Sequence, residues 1–352
     1  MRCLPVNNDY SGDMKAHRSV GGILSLLLAL AFCMNAQQSD RAKEFEAMMV
    51  KAKKGDANSQ HDVGVCYHEG RGITKDTAQA VKWFRMAAEQ GHADAQNLLG
   101  VAYGTGDGVT KDETESFKWL RKAAEQGHAE AQRNLGFCYF KGNGVSKDTT
   151  EAVKWLQKAA EQGDVQAQMN LGVCYSSAQG VTKDLAQALH WYRKAAEQGF
   201  APAQYNVGLS CMDGLGVGKD QGEGVKWYRK AAEQGFMEAQ HNLGLCYHTG
   251  VGIAKDATEA AQWFRRAAQQ GKVQSQLNLG VCYAEGEGVG KDYVEAYMWF
   301  GLAAAQGNEH AKVAKADLGQ MMTPEQIAKG FRRVRDFKPE PVVESGTPAS
   351  GL

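Results

Sequence analysis

A block of 36 residues is written seven times without insertion or deletion, with copies starting at Ala57, Ala93, Ala129, Val165, Ala201, Met237 and Val273 and the last closing at Asn308. A fixed period in this range marks a solenoid, in which each unit leaves an apolar face that only a neighbour can cover. Residues fixed in every copy therefore report architecture. Function is to be sought where the copies differ.

The second copy shows how one unit folds. Ala95, Leu99, Ala102 and Tyr103 recur at i, i+4, i+7 and i+8, one face of a first helix, here helix A. Gly106-Asp107-Gly108-Val109 breaks it. Helix B starts at Asp112, carries Ser116, Trp119, Leu120, Ala123 and Ala124 on one stripe, and stops at Gly127. Each copy places Asp at the start of helix B and Glu or Gln three residues later: Asp76/Gln79, Asp112/Glu115, Asp148/Glu151, Asp184/Gln187, Asp220/Glu223, Asp256/Glu259 and Asp292/Glu295. This spacing predicts reciprocal capping boxes and accounts for the acidic row without calcium or catalysis. Trp83, Trp119, Trp155, Trp191, Trp227, Trp263 and Trp299 share one position, which predicts a core ladder rather than a sugar platform. The Gly-x-Gly of each loop lacks the Gly-Lys-Ser/Thr end of a phosphate loop and reads as turn chemistry.

The third copy runs Ala129-Glu130-Ala131, Asn134-Leu135-Gly136, Tyr139, Gly142, Gly144-Val145, Asp148, Ala152, Trp155, Ala159-Ala160 and Gln162-Gly163. This pattern resembles the Sel-one-like repeat family, relatives of the tetratricopeptide repeats, over residues 57–308. The resemblance implies an all-α, right-handed α/α superhelical solenoid of helix-turn-helix repeats that serves as an adaptor or assembly scaffold. Met322-Thr323-Pro324-Glu325-Gln326-Ile327-Ala328 resembles the helix that closes such arrays, with Thr323 as its N-cap, so 309–337 is expected to form a C-terminal cap. Residues 37–56 are expected to give a partial leading helix and 338–352 a disordered tail. Some relatives carry paired, disulfide-bonded cysteines, and such relatives have been linked to β-lactams. Here Cys66, Cys138, Cys174, Cys246 and Cys282 occupy one helix-A position and Cys211 the next. Equivalent positions in stacked helices lie about 8–10 Å apart, beyond disulfide reach. They are expected to be small buried hydrophobes. No Ser-x-x-Lys element supports a β-lactam site.

Lys+Arg and Asp+Glu are both 40, which gives no electrostatic footprint for a nucleic acid. Met14-Lys15-Ala16-His17-Arg18 is a basic start, Val20 to Cys33 is an apolar run, and Gln37-Gln38-Ser39-Asp40 turns polar. The run is short for a membrane span and fits a secretory signal over 1–36, with Met14 a natural start and cleavage expected after Ala36. An exported, periplasmic or secreted chain without a stable span is expected; an uncleaved N-terminal anchor is the alternative.

Two helix-A positions differ between copies. The fifth residue of the copies reads His61, Asn97, Arg133, Met169, Tyr205, His241, Leu277, and the twelfth reads His68, Gly104, Phe140, Ser176, Met212, His248, Ala284. Seven residues apart, they share a helix face. By the tetratricopeptide resemblance that face lines a concave groove. Arg133, Phe140, Met169, Tyr205, Met212, His241 and His248 are therefore expected to contact a protein or peptide partner, facing away from the core. Asn134, Asn170, Asn206, Asn242 and Asn278 run beside them and are expected either to pair with a ligand's amides or to bond the solenoid's own backbone. His61/His68 and His241/His248 stand about 10.5 Å apart along the helix, too far to share an ion, so no metal is expected. No cofactor motif is present. Copy four has Ala178 for the first loop glycine. Copy five has Cys211 for tyrosine and places Gly222 and Gly224 in helix B, which predicts its weakest helix. The function expected is a non-catalytic protein- or peptide-binding scaffold of the cell envelope. A cell-wall or β-lactam hydrolase and a structural spacer are the alternatives.

Overall fold

The computed structural model describes residues 40–341, and the expected signal segment and residues 342–352 lie outside that range. Every regular element among the described residues is an α-helix, and none is long and apolar enough to cross a membrane. Packing divides the chain into two units, one ending at Ala131 and the other beginning at Gln132.

In the first unit, α1 (40–53) leads into α2 (Ala57–Glu69), α3 (Thr77–Glu89), α4 (Ala93–Thr105) and α5 (Glu113–Glu125). Phe45, Met49 and Ala52 of α1 pack on Val63 and Cys66 of α2, so the apolar face of the array's first helix is covered. In the second unit, α6 (Ala129–Lys141), α8 (Val165–Ser177), α10 (Ala201–Asp213), α12 (Met237–Thr249) and α14 (Val273–Glu285) are helices A. They alternate with helices B: α7 (Thr149–Glu161), α9 (Leu185–Glu197), α11 (Gln221–Glu233), α13 (Ala257–Gln269) and α15 (Tyr293–Ala305). α16 (Glu309–Gln320) and α17 (Pro324–Asp336) close the unit.

Three devices build each copy. First, the helix-A glycine eight residues into the copy is a notch for a large side chain of helix B. A Cβ on Gly172 would lie 2.4 Å from the Tyr192 ring, and one on Gly280 would lie 2.5 Å from Phe300. Beside the notch, Leu99, Leu135, Leu171, Leu243 and Leu279 are fully buried, each worth roughly 1.5–3 kcal/mol. Second, the later loop glycine touches the preceding helix B: a Cβ on Gly180 would stand 2.1 Å from the carbonyl oxygen of Thr149. Third, a glutamine ladder stitches copy to copy. Gln168 Nε2 donates to the Ala160 carbonyl at 3.0 Å, and its Oε1 accepts from Gln198 Nε2 at 2.8 Å. The same pair of bonds joins Gln204 to Ala196 and Gln234, Gln240 to Ala232 and Gln270, and Gln276 to Ala268 and Gln306. Buried amide groups without such partners would be costly, so the ladder fixes both register and neighbour.

The capping boxes are only half present in the repeats. The Asp148 and Asp220 carboxylates accept from the amides of Glu151 and Glu223 at 2.9 Å, as expected. The return bond is absent because each Asp amide is already used: Asp148 donates to the Tyr139 carbonyl and Asp256 to the Tyr247 carbonyl, both at 3.0 Å. The glutamates turn outward instead. Glu151 pairs with Lys154, and Glu259 accepts from the Trp263 indole at 3.0 Å. The full box forms at α17, where Thr323 and Gln326 cap each other and Pro324 opens the helix.

Of the tryptophans, Trp119, Trp191, Trp263 and Trp299 are buried, whereas Trp83, Trp155 and Trp227 are half-buried. A cation three residues on covers several rings, with Lys158 Nζ 3.9 Å from the Trp155 centroid and Lys230 Nζ 3.9 Å from that of Trp227. The row is thus the core's outer edge, sealed by aliphatic stems. At the C-terminal end Phe337 meets Trp299 edge-on at 5.6 Å, and the Glu340 amide donates to the Gln269 carbonyl at 2.9 Å. The first residues of the expected tail are therefore held against the solenoid.

Candidate functional site

The two variable helix-A positions do not face away from the core as expected. Phe140, Met169 and His241 are 5%, 6% and 8% exposed. Arg133, Tyr205, Met212 and His248 are half-buried. The reason is local geometry. Both positions flank the glycine notch, so their side chains lie along helix B of their own copy and the start of the next. Tyr205 stacks on Tyr228 at 5.7 Å and packs on Phe236 at 5.4 Å. Arg133 Nε donates to Asp164 at 3.2 Å, and its Nη1 to Asn134 at 3.2 Å. Met212 fills the space left by Gly224, where a Cβ would stand 2.7 Å from its Cγ. Gly224 is thus a fitted contact as well as a helix-weakening residue.

His241 is the most perturbed of the histidines. Burial, with Lys272 nearby, pulls its imidazole down to about 4, and Nδ1 lies 2.8 Å from Ser275 Oγ. His248 lies 3.9 Å from Glu287. Burial pushes the Cys174 thiol up to about 12 and those of Cys246 and Cys282 up to about 11. These three thiols are packing elements, held protonated by burial, and none is a poised nucleophile.

The asparagines do not form a uniform ladder. Asn206 Nδ2 donates to its own helix at the Pro202 carbonyl, 3.0 Å away. Asn242 interacts with the hydroxyls of Tyr205 and Tyr228. Asn170 is 1% exposed and neither end of its amide has a partner. The helix-B residue of the preceding copy is Leu156, where Asn242 has Tyr228 as its neighbour. Asn134 and Asn278 are half-buried.

What helix A shows to solvent is a stripe that sequence reasoning passed over. The ninth residue of each copy is apolar: Val65 and Val101 in the first unit; Phe137, Val173, Leu209, Leu245 and Val281 in the second. Most are half-buried, and Val101 is 36% exposed. Exposed Ser177, Asp213, Thr249 and Glu285 stand four residues further on the same face. The sequence signal was available: an apolar residue every 36 positions outside the two stripes read as core, although Val173, Leu209, Leu245 and Val281 also pack in part against the core clusters.

The Sel1 repeat family model matches residues 57–92, 93–128, 129–164, 165–200, 201–236, 238–272 and 273–308. The chain belongs to the Sel1 repeat family. Among solved structures it is similar to a Sel1 repeat protein from Oxalobacter formigenes, at 36% identity over 80% of each chain, with a TM-score of 0.65. It is also similar to c5321 of uropathogenic Escherichia coli, a protective antigen with the SLR fold, at 30% identity over 86% of this chain and 81% of that one, with a TM-score of 0.54. No curated protein matches it. A Sel1 solenoid is typically a protein-interaction scaffold, and within this one the half-buried ninth-position stripe is the apolar surface that helix A offers.

Proposed function

We propose that this Sel1 protein is a non-catalytic scaffold that takes a segment of a protein partner along the helix-A face of its second unit. The observation that carries the reading is the ninth-position stripe. Val173, Leu209, Leu245 and Val281 recur on successive helices A, packed on one side against the core and partly open to solvent on the other, and are edged by polar residues. An apolar seam with a polar rim suits an extended or helical partner segment. Arg133, Tyr205, Met212 and His248 border it and serve chiefly to shape its floor. Among the described residues no group of His, Cys, Asp or Glu is arranged to hold a metal ion.

Site-specific photocrosslinking tests this. A crosslinker at Thr249, beside the seam, should recover one partner. The same group at Lys226, exposed on helix B, should not. Leu209→Ser with Leu245→Ser should weaken capture at least tenfold, about 1.4 kcal/mol, without loss of helicity. Equal recovery from Lys226 would overturn the reading.

We also propose that the chain is exported, on the basic, apolar, polar succession of residues 14–40. Intact mass of the cell-envelope fraction should lack residues through about Ala36. A membrane-bound product that keeps the apolar run would contradict it.

A further inference from the structure

Copies of one backbone can differ in how their loop edges are charged. At the junction of the sixth and seventh copies, Glu287 of the later loop lies 3.4 Å from Lys255 and 3.9 Å from His248. At the junction of the third and fourth copies, the residue equivalent to Glu287 is Gln179, and the equivalent of Lys255 is Lys147. The acid is gone and the lysine remains. A second lysine, Lys141, stands on the same edge. Neither makes an ion pair with a described residue.

A cavity of about 460 Å³ opens there, lined by Phe140, Lys141, Lys147, Thr149, Ala178, Gln179 and Gly180. No carboxylate lines it. Its lining has a cationic and hydrogen-bonding side, from the lysines, Thr149 and Gln179, and an apolar side, from Phe140 and Ala178. Ala178 adds an independent observation. It is the one non-glycine residue with positive φ among the described residues, at 58°. The corresponding residues of the other copies are glycine, so a strained backbone here keeps a methyl group at the cavity wall.

We propose that this cavity binds a carboxylate carried on an apolar body, such as the C-terminal residue of a peptide. Lys141 and Lys147 take the charge, the Thr149 hydroxyl and Gln179 amide donate to the carboxylate oxygens, and Phe140 and Ala178 cover the apolar part. Free phosphate has no apolar part and leaves that wall uncovered. The site lies apart from the ninth-position stripe, so either proposal can fail while the other stands.

The full chain, titrated with N-acetylphenylalanine, should show saturable amide shifts at Thr149, Gln179 and Gly180 in the millimolar range expected of a fragment. N-acetylphenylalaninamide, which lacks the charge, should produce none. Gln179→Glu restores the acid found at the sixth–seventh junction, so it should fold normally and weaken binding at least tenfold. Lys141→Gln with Lys147→Gln should do the same. The proposal is overturned by equal binding of the amide, by undiminished binding to Gln179→Glu, by tighter binding of inorganic phosphate, or by no saturable shift.

Discussion

The third and fourth copies and the fifth and sixth copies have one backbone and opposite fillings. In the fifth and sixth, Tyr228 reaches Asn242, Met212 fits the space over Gly224, and Gly250 takes the left-handed loop cap at φ 80°. In the third and fourth, Leu156 leaves Asn170 unpaired, Phe140 is buried beside an open cavity, and Ala178 is forced into the left-handed cap. The first pair of copies meets its variable helix-A side chains with fitted neighbours and offers a surface, and its one buried polar side-chain atom without a partner among the described residues is Gln270 Oε1. The second carries strain and an unpaired amide, and it is there that a cavity opens. In a solenoid, stability is roughly a sum over copies and junctions, so a local cost of this kind can be carried by the rest.

The contrast is tested most severely at the twelfth position. Phe140 is 5% exposed and belongs to a core cluster with Leu156 and Leu171. Phe140→Ala should cost about 3–5 kcal/mol in denaturant unfolding. Met212→Ala, at the equivalent but half-buried site, should cost distinctly less. Equal losses would mean the two sites are not differently packed.

The fifth position separates the copies by pH. Met169 of the fourth copy cannot titrate; His241 of the sixth can, and its folded value is about 4 against an ordinary 6.5. Below 6.5 the unfolded chain binds a proton that the folded chain refuses, so stability is lost as pH falls from 6.5 and the loss levels off below about 4. The full effect is roughly 3 kcal/mol. His241→Gln compared with the parent chain across pH 7 to 4 should show a difference that shrinks or reverses as pH falls. A pH-independent difference would place the imidazole in water.

These outcomes bear on what a sequence can disclose. The helices, their order and the alanine pair that ends each helix B were legible because they recur without change, and recurrence every 36 residues is a direct imprint of stacking; the equally constant glutamines carried no sign of the ladder they form. The half-formed capping boxes were not legible: Asp148 and Glu151 have the right spacing, and only the fold shows that the Tyr139 carbonyl has already taken the Asp amide. The candidate site was harder still. Chemical variation at the fifth and twelfth positions looked like surface. Much of it is compensated inside the copy, Met212 by Gly224 and Ser176 by Tyr192, whose hydroxyls lie 3.2 Å apart. A column of residues read alone cannot show a partner 12 or 16 residues away. The apolar ninth position was missed for the converse reason. Its constancy resembled core, though the side chains are only partly buried.

The asparagines give a smaller test, of opposite sign in the two regions. Asn170 is buried with an unpaired amide, a cost of about 1–3 kcal/mol. Asn170→Leu, which keeps the branched heavy-atom skeleton and removes the polar atoms, should raise stability by about 1 kcal/mol. Asn242→Leu should lower it, because the hydroxyls of Tyr205 and Tyr228 lose a polar neighbour. Destabilisation by both would show that Asn170 has a bonding partner after all.

The smallest effect is the most informative about the cavity. An alanine at φ 58° carries left-handed strain of about 1–2 kcal/mol, which glycine relieves. Glycine also frees the unfolded chain, which takes back about 0.4–1 kcal/mol. Ala178→Gly should therefore stabilise by about 0.5–1 kcal/mol, while Gly250→Ala, whose added Cβ would meet only ordinary contacts at 3.6 Å or more, should destabilise by a similar amount. Denaturant midpoints of the two variants should move in opposite directions. If Ala178 serves only as a loop cap, Ala178→Gly should leave N-acetylphenylalanine binding untouched. If its methyl is part of the cavity wall, the same substitution should weaken that binding even as it strengthens the fold. Stability and binding moving in opposite directions on one methyl group would distinguish a site from an accident of the loop.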